Sequence, residues 1–441
     1  QFIGELVAQL EADGRLEDTV LLFYTDHYGK YLTDKEFLYQ LKGVSADSPE
    51  LYRTPCFFYA KGQQPQTVEK YVAPVDLAPT IVNLFGLDTD TRYYMGDDMF
   101  GDQGGVVLFP DGGVSDIQFK QMATQRGRNV QVWGVRGNFD DAQTAVKQVF
   151  AKVGGENLLA GKGVRLSSAN SINIGRLAPQ VVYYFRAYAD LVRRGTVAVG
   201  ERVDYVVPTG NFGDILAGYF ARELGLPVGT LVCASNANNV LTDFIRTGRY
   251  DKKRPFYLTS SPSMDILVSS NLERLLFLLS GDEQLVAKLM RQLTEDGAYE
   301  VPEELKEKIQ SLFWAGCCGD DETKQTIGRV WQEHHYLCDT HTAVAWNVAQ
   351  QYKAANPAHA PVVVLSTASP YKFPAAVLGG LGEKAEGDEF AVMEQLERLT
   401  RIPAPKNLRG LRERPVRHTT VLDREEMLPF VLEKAQEKKW F

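Results

Sequence analysis

The chain has 441 residues, of which 44% are hydrophobic and 24% charged, and its net charge is −8. A chain of this length can bury a large core and should hold two or three domains. The acidic balance argues against nucleic-acid binding, whereas small anionic substrates stay possible because their recognition is local. Five cysteines without a spacing framework are typical of a reducing compartment, and no apolar run reaches the length of a membrane helix. These properties predict a cytoplasmic protein without a membrane segment.

The first 105 residues contain a strand pattern that ends in two potential metal ligands. The continuous apolar run Thr19–Thr25 predicts a buried strand, and Asp26 and His27 follow it directly. A carboxylate and an imidazole at a strand end can bind a metal ion. Two ligands are too few for a complete site, however, and the residues alone favour a capped strand end. The chain also begins at Gln1 within a helical pattern, which predicts a fragment at its N-terminus.

The stretch Val203–Pro227 has the pattern of a strand, a glycine loop and a helix. The β-branched run ends at Pro208, glycines follow at Gly210 and Gly213, and a helical period runs to Gly225. Glycines let the backbone turn tightly, and the following helix offers unpaired N–H groups and the positive end of its dipole. The loop is therefore suited to hold a phosphate group, although an ordinary tight turn explains the pattern equally well.

Further patterns extend this unit into a helix-covered sheet. Val130–Val135 and Gly229–Ala234 predict strands, and Asp140–Lys152 predicts a helix. Strand, helix and strand in succession form a βαβ unit, so we expect a parallel sheet and the α/β fold class. Asn170–Asn173 precede a predicted amphipathic helix that extends to about Arg194. Their polar side chains can cap this helix and can also face a ligand, because helix N-termini bind anions.

Three features of the C-terminal half are interpreted from their patterns. Residues 281–330 are charged and helical in pattern, which predicts a peripheral insert, and the apolar run Pro361–Ser366 predicts a fully buried strand. Four potential metal ligands fall on helix-like spacing, but no CxxC pair accompanies them and we predict no metal site there. These four are His334, His335, Cys338 and His341.

The wording of the glycine loop, PTGNFGDILAG, resembles the cofactor-phosphate loop of threonine synthases, which are pyridoxal-phosphate enzymes of the tryptophan-synthase-β fold type (fold type II). Similar segments follow in the family's order from about Val106 to the C-terminus. They are Asp111–Met122, Gly137–Phe150, Asn170–Phe185, Asp339–Trp346 and Ser366–Ala376. The family's D-P-H-T-A-V string has Thr340 in place of proline here. The resemblance implies a domain over residues 106–441 with an open sheet of this fold type that lacks its N-terminal part.

The resemblance also implies a cofactor and a substrate. Pyridoxal phosphate would meet the residues of the glycine loop, and its ring nitrogen would meet a hydroxyl. These residues are Gly210, Asn211, Phe212, Gly213, Asp214 and Thr367. A small anionic amino acid, O-phospho-L-homoserine, would react with water to L-threonine and phosphate. Its contacts would be Asn170, Ser171, Asn173 and Lys372. A strand-end cap accounts for Thr367, and a surface position accounts for Lys372, without any ligand.

Segments of residues 1–105 resemble the C-terminal part of the alkaline-phosphatase superfamily, in its sulfatase-like, lipoteichoic-acid-synthase-type branch. They are TVLLFYTDHYGKY, LYRTPCFFYAKG, APVDLAPTIVNLFGL and GDDMFG. The resemblance makes Asp26 and His27 ligands of a divalent metal such as Mn, in a parent protein that is membrane-anchored and extracellular. The family's nucleophile and remaining ligands lie upstream of the matching region, so the metal site is expected to be incomplete. The string GGVVLFPDGG (104–113) is similar to both families and indicates a fusion junction.

The lysine that holds the cofactor in threonine synthases lies in an SFKD-like motif, ahead of the region matched here. No SFKD or FKD occurs in the 441 residues, and Lys120 in QFKQM has different neighbours. Because that lysine both anchors the cofactor and moves protons, we predict a threonine-synthase-derived chain that does not turn over as written. The alternatives are a sulfatase-like, metal-dependent phosphoglycerol transferase or hydrolase fragment in residues 1–105, and a non-catalytic anion-binding module.

Overall fold

The structure is a computed structural model that describes residues 2–24, 40, 56–64, 67, 105–111, 114–125, 130–137, 139–159, 166 and 173–436. The chain divides into two compact units, and the second contains the predicted glycine loop. The first unit comprises Gln1–Val164 with Pro405–Phe441, and the second comprises Arg165–Ala404. The domain boundary near residue 105 stays a prediction.

The described residues form eleven strands and fifteen α-helices. The strands are β1 Val20–Tyr24, β2 Cys56–Ala60, β3 Gly105–Asp111, β4 Val130–Arg136, β5 Val203–Pro208, β6 Val228–Ser235, β7 Arg249–Asp251, β8 Ala298–Glu300, β9 Phe313–Cys317, β10 Val362–Val364 and β11 Val421–Leu422. The helices are α1 Phe2–Ala12, α2 Asp116–Ala123, α3 Phe139–Gly155, α4 Ile174–Leu177, α5 Val181–Arg193, α6 Gly213–Glu223, α7 Val240–Thr247, α8 Leu272–Ser280, α9 Glu283–Glu295, α10 Glu303–Leu312, α11 Asp320–His334, α12 Thr340–Ala355, α13 Pro374–Gly380, α14 Glu389–Thr400 and α15 Met427–Lys434. None of these helices is both long enough and apolar enough to span a bilayer.

The described residues of the first unit form two small sheets. Strands β1 and β2 pair antiparallel, and β3, β4 and β11 form a parallel sheet in the order β11-β4-β3. The predicted strand at Val130–Val135 and the predicted helix at Asp140–Lys152 are confirmed as β4 and α3. The run Thr19–Thr25 does form a strand, but its predicted burial is wrong. Val20 is exposed and residues 21–23 are only half-buried, so the faces of this strand are incompletely covered.

A parallel four-stranded sheet in the order β10-β5-β6-β9 forms the centre of the second unit. Its side chains alternate between two faces, as the period of a strand requires. On β5, Tyr205 and Val207 lie in one core cluster with residues of α5 and α6, whereas Val206 lies in another with residues of α12. Helices therefore cover both faces of the sheet, which confirms the predicted α/β class.

The order of the strands indicates at which edge of this sheet a ligand crevice is expected. The chain proceeds from β5 to β6 and then β9 on one side, and β10 returns to the other side of β5. Ligands of open parallel sheets bind where the strand order reverses, at the carboxyl ends of the strands. The crevice is thus bounded by the residues after β5, from Thr209, and by those after β10, from Leu365.

Three sequence predictions for this unit are corrected. The long helix before Arg194 is broken by a 3₁₀ turn at Ala178–Gln180, where Pro179 supplies no N–H donor. The segment 281–330 is not wholly a peripheral insert, because β9 within it pairs with β6 in the central sheet. The run Pro361–Ser366 gives only the three residues of β10, which are half-buried because β10 is the outermost strand of the described sheet.

Candidate functional site

The loop after β5 leads into α6 with an unusual backbone. Phe212, directly before the helix, has φ 60° and ψ 12°, a left-handed conformation that is rare for residues other than glycine. Its side chain is 1% exposed and packs 5.6 Å from the ring of Phe313 between centroids. Phe212 provides no side-chain cap for α6. The first N–H groups of this helix are therefore left without the side-chain acceptor that usually covers them.

Close packing fixes the remainder of the loop. A Cβ atom at Gly210 would lie 2.8 Å from the carbonyl oxygen of Ser263, so only glycine fits there. The carbonyl oxygen of Asn211 accepts a hydrogen bond of 2.8 Å from Asn271 Nδ2. The side chain of Asn211 also accepts one of 3.1 Å from the hydroxyl of Ser270. The loop is therefore held in shape by its own chain, and the side chain of Asn211 is engaged within the protein.

Asp214, in the first turn of α6, has a buried oxygen without a hydrogen bond. The hydroxyl of Tyr184 donates to the Asp214 carbonyl oxygen at 2.7 Å and lies 3.4 Å from Oδ1. Oδ2 is shielded from solvent and has no hydrogen-bond partner among the described residues. Burial raises the pKa of Asp214 from 3.8 to about 7, against the opposing effect of Tyr184. Near neutral pH this carboxyl group is therefore partly protonated and can donate a hydrogen bond to an anion.

The other side of the crevice follows β10. Ser366 and Thr367 are both exposed there, shortly after the end of the strand that neighbours β5. The hydroxyl of Tyr336 donates to Ser366 Oγ at 2.9 Å, and Thr342 Oγ1 lies 3.2 Å from the same atom. The glycine loop and Thr367 thus follow the carboxyl ends of two neighbouring parallel strands, β5 and β10.

Lys372 lies beyond β10 in a charged environment. Burial lowers the pKa of its amine, Asp339 raises that pKa, and Arg176 lowers it further by like-charge repulsion. Asn173 accepts a hydrogen bond of 2.9 Å from the N–H of Gly175 and so caps α4, the structural role that its sequence position also allowed. The predicted substrate contacts Asn170 and Ser171 lie outside the described residues.

The first unit contains two other positions of interest. The predicted metal ligands Asp26 and His27 lie outside the described residues. Lys120 donates hydrogen bonds of 2.9 Å to the carbonyl oxygens of Arg412 and Arg414, so its amine is already engaged. No group of three potential metal ligands occurs in the parts of the chain that the structure describes.

Sequence reasoning missed a buried Asp–His pair on α12. Asp339 is 0% and His341 3% exposed, and Asp339 Oδ1 lies 3.1 Å from His341 Nδ1. His341 appeared in the sequence only as one of four potential metal ligands. The signal that could have identified the pair was the family-like string DTHTAV, in which the two residues alternate with threonines.

The second unit combines an open parallel sheet, a glycine loop before a helix and a hydroxyl near the switch of strand order, and solved structures identify its fold as fold type II of pyridoxal-phosphate enzymes. A solved structure described as PLP-bound threonine synthase from Brucella melitensis shares it, at a TM-score of 0.65 and 37% identity over 80% of this chain and 68% of its own. Threonine synthase from yeast matches at a TM-score of 0.62 and 30% identity, over 75% of this chain and 64% of its own.

Sequence comparisons identify the family. The chain is 43% identical over 279 residues to Threonine synthase-like 1 from Homo sapiens, covering 63% of this chain and 37% of the relative. It is 41% identical over 279 residues to threonine synthase from Pseudomonas aeruginosa, covering 63% of this chain and 57% of the relative. The family described as "Threonine synthase, C-terminal" matches residues 342–430. The chain belongs, through its C-terminal part, to the threonine synthase family.

The N-terminal part matches a different family. The family described as "Sulfatase" matches residues 1–87. Both resemblances seen in the sequence, and their order along the chain, are thereby confirmed. Of the two threonine synthase relatives, the chain covers 37% of the protein from Homo sapiens and 57% of the protein from Pseudomonas aeruginosa.

Proposed function

We propose that the crevice between the ends of β5 and β10 binds pyridoxal phosphate. The observation that carries this proposal is the α6 N-terminus, which has no side-chain cap and is preceded by a loop packed too tightly for any residue but glycine at position 210. The N–H groups of a helix start attract phosphate, and the helix dipole favours negative charge there. Asp214, with its buried and unpaired Oδ2, adds a carboxyl group that is partly protonated near neutral pH and can then donate to a phosphate oxygen.

Thr367 provides the partner for the other end of the cofactor. Its position after β10 suits a hydrogen bond from its hydroxyl group to the pyridine nitrogen. A neutral hydroxyl does not protonate that nitrogen, whereas a carboxylate would favour its protonation. When bound, pyridoxal phosphate supplies an electron sink for carbanion chemistry at an amino acid. The residues of this chain supply the binding and the orientation.

The substrate side is proposed to accept a small anionic amino acid, O-phospho-L-homoserine, as in the family reaction that gives L-threonine and phosphate. Lys372 is a partly buried cation whose pKa is lowered by burial and raised by Asp339. The phosphate group of the substrate would bring a further opposite charge to this amine. Asn173, and with it Asn170 and Ser171, would border the same substrate.

We further propose that the polypeptide of these 441 residues binds the cofactor and does not turn over the substrate. The SFKD-like motif does not occur in it, and the amine of Lys120 is engaged by two carbonyl oxygens. Without a covalent lysine, affinity rests on the phosphate loop and Thr367 alone.

The test is a titration of the purified full chain with pyridoxal phosphate, followed by absorbance, with inorganic phosphate as competitor. We expect saturable binding that phosphate displaces, and no phosphate release from O-phospho-L-homoserine. Absence of saturable binding would overturn the cofactor site. Phosphate release that depends on pyridoxal phosphate would instead overturn the proposed lack of turnover.

The match of residues 1–87 to the Sulfatase family favours a second candidate. We propose that Asp26 and His27 are two ligands of a divalent metal such as Mn in an incomplete, phosphodiesterase-like site. Cleavage of a phosphodiester that requires Mn²⁺ and is lost in Asp26→Ala would support activity of this part. Equal cleavage by that variant would exclude the role of Asp26.

A further inference from the structure

Asp339 is a buried carboxylate whose contacts with His341 and Thr342 lead to the two sides of the crevice. It is fully buried at the N-terminus of α12, where Oδ1 accepts from the N–H of His341 at 2.8 Å and lies 3.3 Å from the N–H of Thr342. These contacts make it a helix cap. The Asp339 carboxylate also contacts the side chains of His341 and Thr342, and these two contacts are not required for capping the helix.

One set of contacts leads from Asp339 to the phosphate loop. The N–H of Ser263 donates to His341 Nε2 at 3.3 Å, so Nε2 must be unprotonated. The proton of the neutral ring is then on Nδ1, which faces Asp339 Oδ1 at 3.1 Å. The carbonyl oxygen of the same Ser263 is the atom against which Gly210 packs. A displacement of His341 would therefore shift Ser263, which in turn contacts Gly210 of the phosphate loop.

A second set of contacts leads from Asp339 to the opposite side. The hydroxyl of Thr342 donates to Asp339 Oδ2 in a short hydrogen bond. Because a hydroxyl has one proton, Ser366 must donate in the 3.2 Å contact between its Oγ and Thr342 Oγ1. Ser366 precedes Thr367 directly in the chain. The two sides of the crevice are thus joined through one buried carboxylate.

We propose that Asp339 is a positioning residue that fixes the distance between the phosphate loop and Thr367, through His341 on one side and Thr342 on the other. This inference rests on the proposed cofactor site. A buried carboxylate is costly unless it is fully hydrogen-bonded, and here the side chains of His341 and Thr342 complete the set of bonds that the main chain begins. The cost of burial therefore enforces the geometry of the crevice.

Two variants separate this role from that of a helix cap, because both keep Asp339 and its main-chain contacts. His341→Phe removes the link to Ser263, and Thr342→Val removes the link to Ser366. The probes are inorganic phosphate, which needs only the loop, and pyridoxal phosphate, which needs both sides. The control is Asp282→Asn, since Asp282 caps α9 through the N–H groups of Gln284 and Leu285 in the same manner.

We expect His341→Phe to weaken binding of both probes by about tenfold, and Thr342→Val to weaken only pyridoxal phosphate by about threefold to tenfold. Asp282→Asn should leave both affinities unchanged. Wild-type affinities in His341→Phe and Thr342→Val would overturn the inference and leave the proposed function intact. Failure of the unmodified chain to bind either probe would overturn both.

A measurement on the unliganded chain tests the same inference if a variant does not fold. In ¹⁵N NMR spectra of the histidine side chains, His341 should be neutral with the proton on Nδ1. Its resonance is assigned by its loss in His341→Phe or, should that variant not fold, in His341→Asn. A proton on Nε2 in the unmodified chain is incompatible with the contact to Ser263 and would overturn the link to the phosphate loop.

Discussion

The two sides of the crevice differ in how much of their shape the protein itself determines. After β5, Phe212 is buried and the carbonyl oxygen of Asn211 accepts a hydrogen bond from Asn271, so contacts within the chain hold the loop before any ligand binds. After β10, the strand is half-buried and Thr367 is exposed, with water as the alternative partner of its hydroxyl. A preorganised group loses little freedom on binding, whereas an exposed one exchanges one hydrogen bond for another. The phosphate side should therefore provide most of the affinity and the ring side mainly the orientation.

Of the substitutions considered, Asp214→Asn should have the largest effect, a change in the pH dependence of stability, because Asp214 is the buried carboxyl group on the phosphate side. With a folded-state pKa of about 7, against an ordinary value of 3.8, it remains protonated while the unfolded chain ionises. The stability that this group contributes is thus fully present below about pH 4 and is lost as the pH rises to 7. The free energy of unfolding falls by about 4 kcal/mol in total through this loss. Asp214→Asn should remove this loss. The variant should match the unmodified chain at pH 4 and exceed it at pH 8 in urea-induced unfolding.

The control for this prediction is Asp296→Asn, which changes an exposed carboxylate at the end of α9. It should leave the pH dependence of the urea midpoint unchanged. An Asp214→Asn variant with the same pH profile as the unmodified chain would show that this carboxyl group ionises normally. The proposed donation from Asp214 to a phosphate oxygen would then be wrong.

Gly210 should give the next largest effect. In Gly210→Ala the new Cβ meets the carbonyl oxygen of Ser263 at 2.8 Å and the Cα of Met264 at 3.1 Å, so the loop must move. We expect a loss of about 1–3 kcal/mol in stability, typical of overpacking, and at least about tenfold weaker binding of inorganic phosphate. Isothermal titration calorimetry with phosphate measures the second quantity.

Gly379→Ala is the matched control, because a Cβ atom there has no neighbour within 4 Å. It should retain both stability and phosphate affinity. Unchanged phosphate affinity in Gly210→Ala would mean that the anion does not bind at this loop. The conclusion that the phosphate side provides most of the affinity would then be wrong.

The same contrast explains which features the sequence could predict. The glycine loop was predictable because Pro208, Gly210 and Gly213 act locally, and the structure places β5 and α6 around them as expected. The burial of β10 was predicted wrongly, because an apolar run does not reveal whether its strand is central or at the edge of the sheet. The pairing of His341 with Ser263 joins residues 78 positions apart, a distance over which periodicity and local propensity carry no information.

The smallest effect is expected on the ring side, at Thr367. Thr367→Val keeps the shape of the side chain and removes the hydroxyl, so pyridoxal phosphate should bind about threefold more weakly, since a hydrogen bond exchanged with water contributes about 0.5–1.5 kcal/mol. Inorganic phosphate should bind as before, and Thr294→Val, which removes an exposed hydroxyl on α9, should change neither affinity. A parallel loss of phosphate affinity in Thr367→Val would show that this residue belongs to the anion site. The two sides would then act as one preorganised unit, joined through Asp339, and the ring side would contribute affinity as well as orientation.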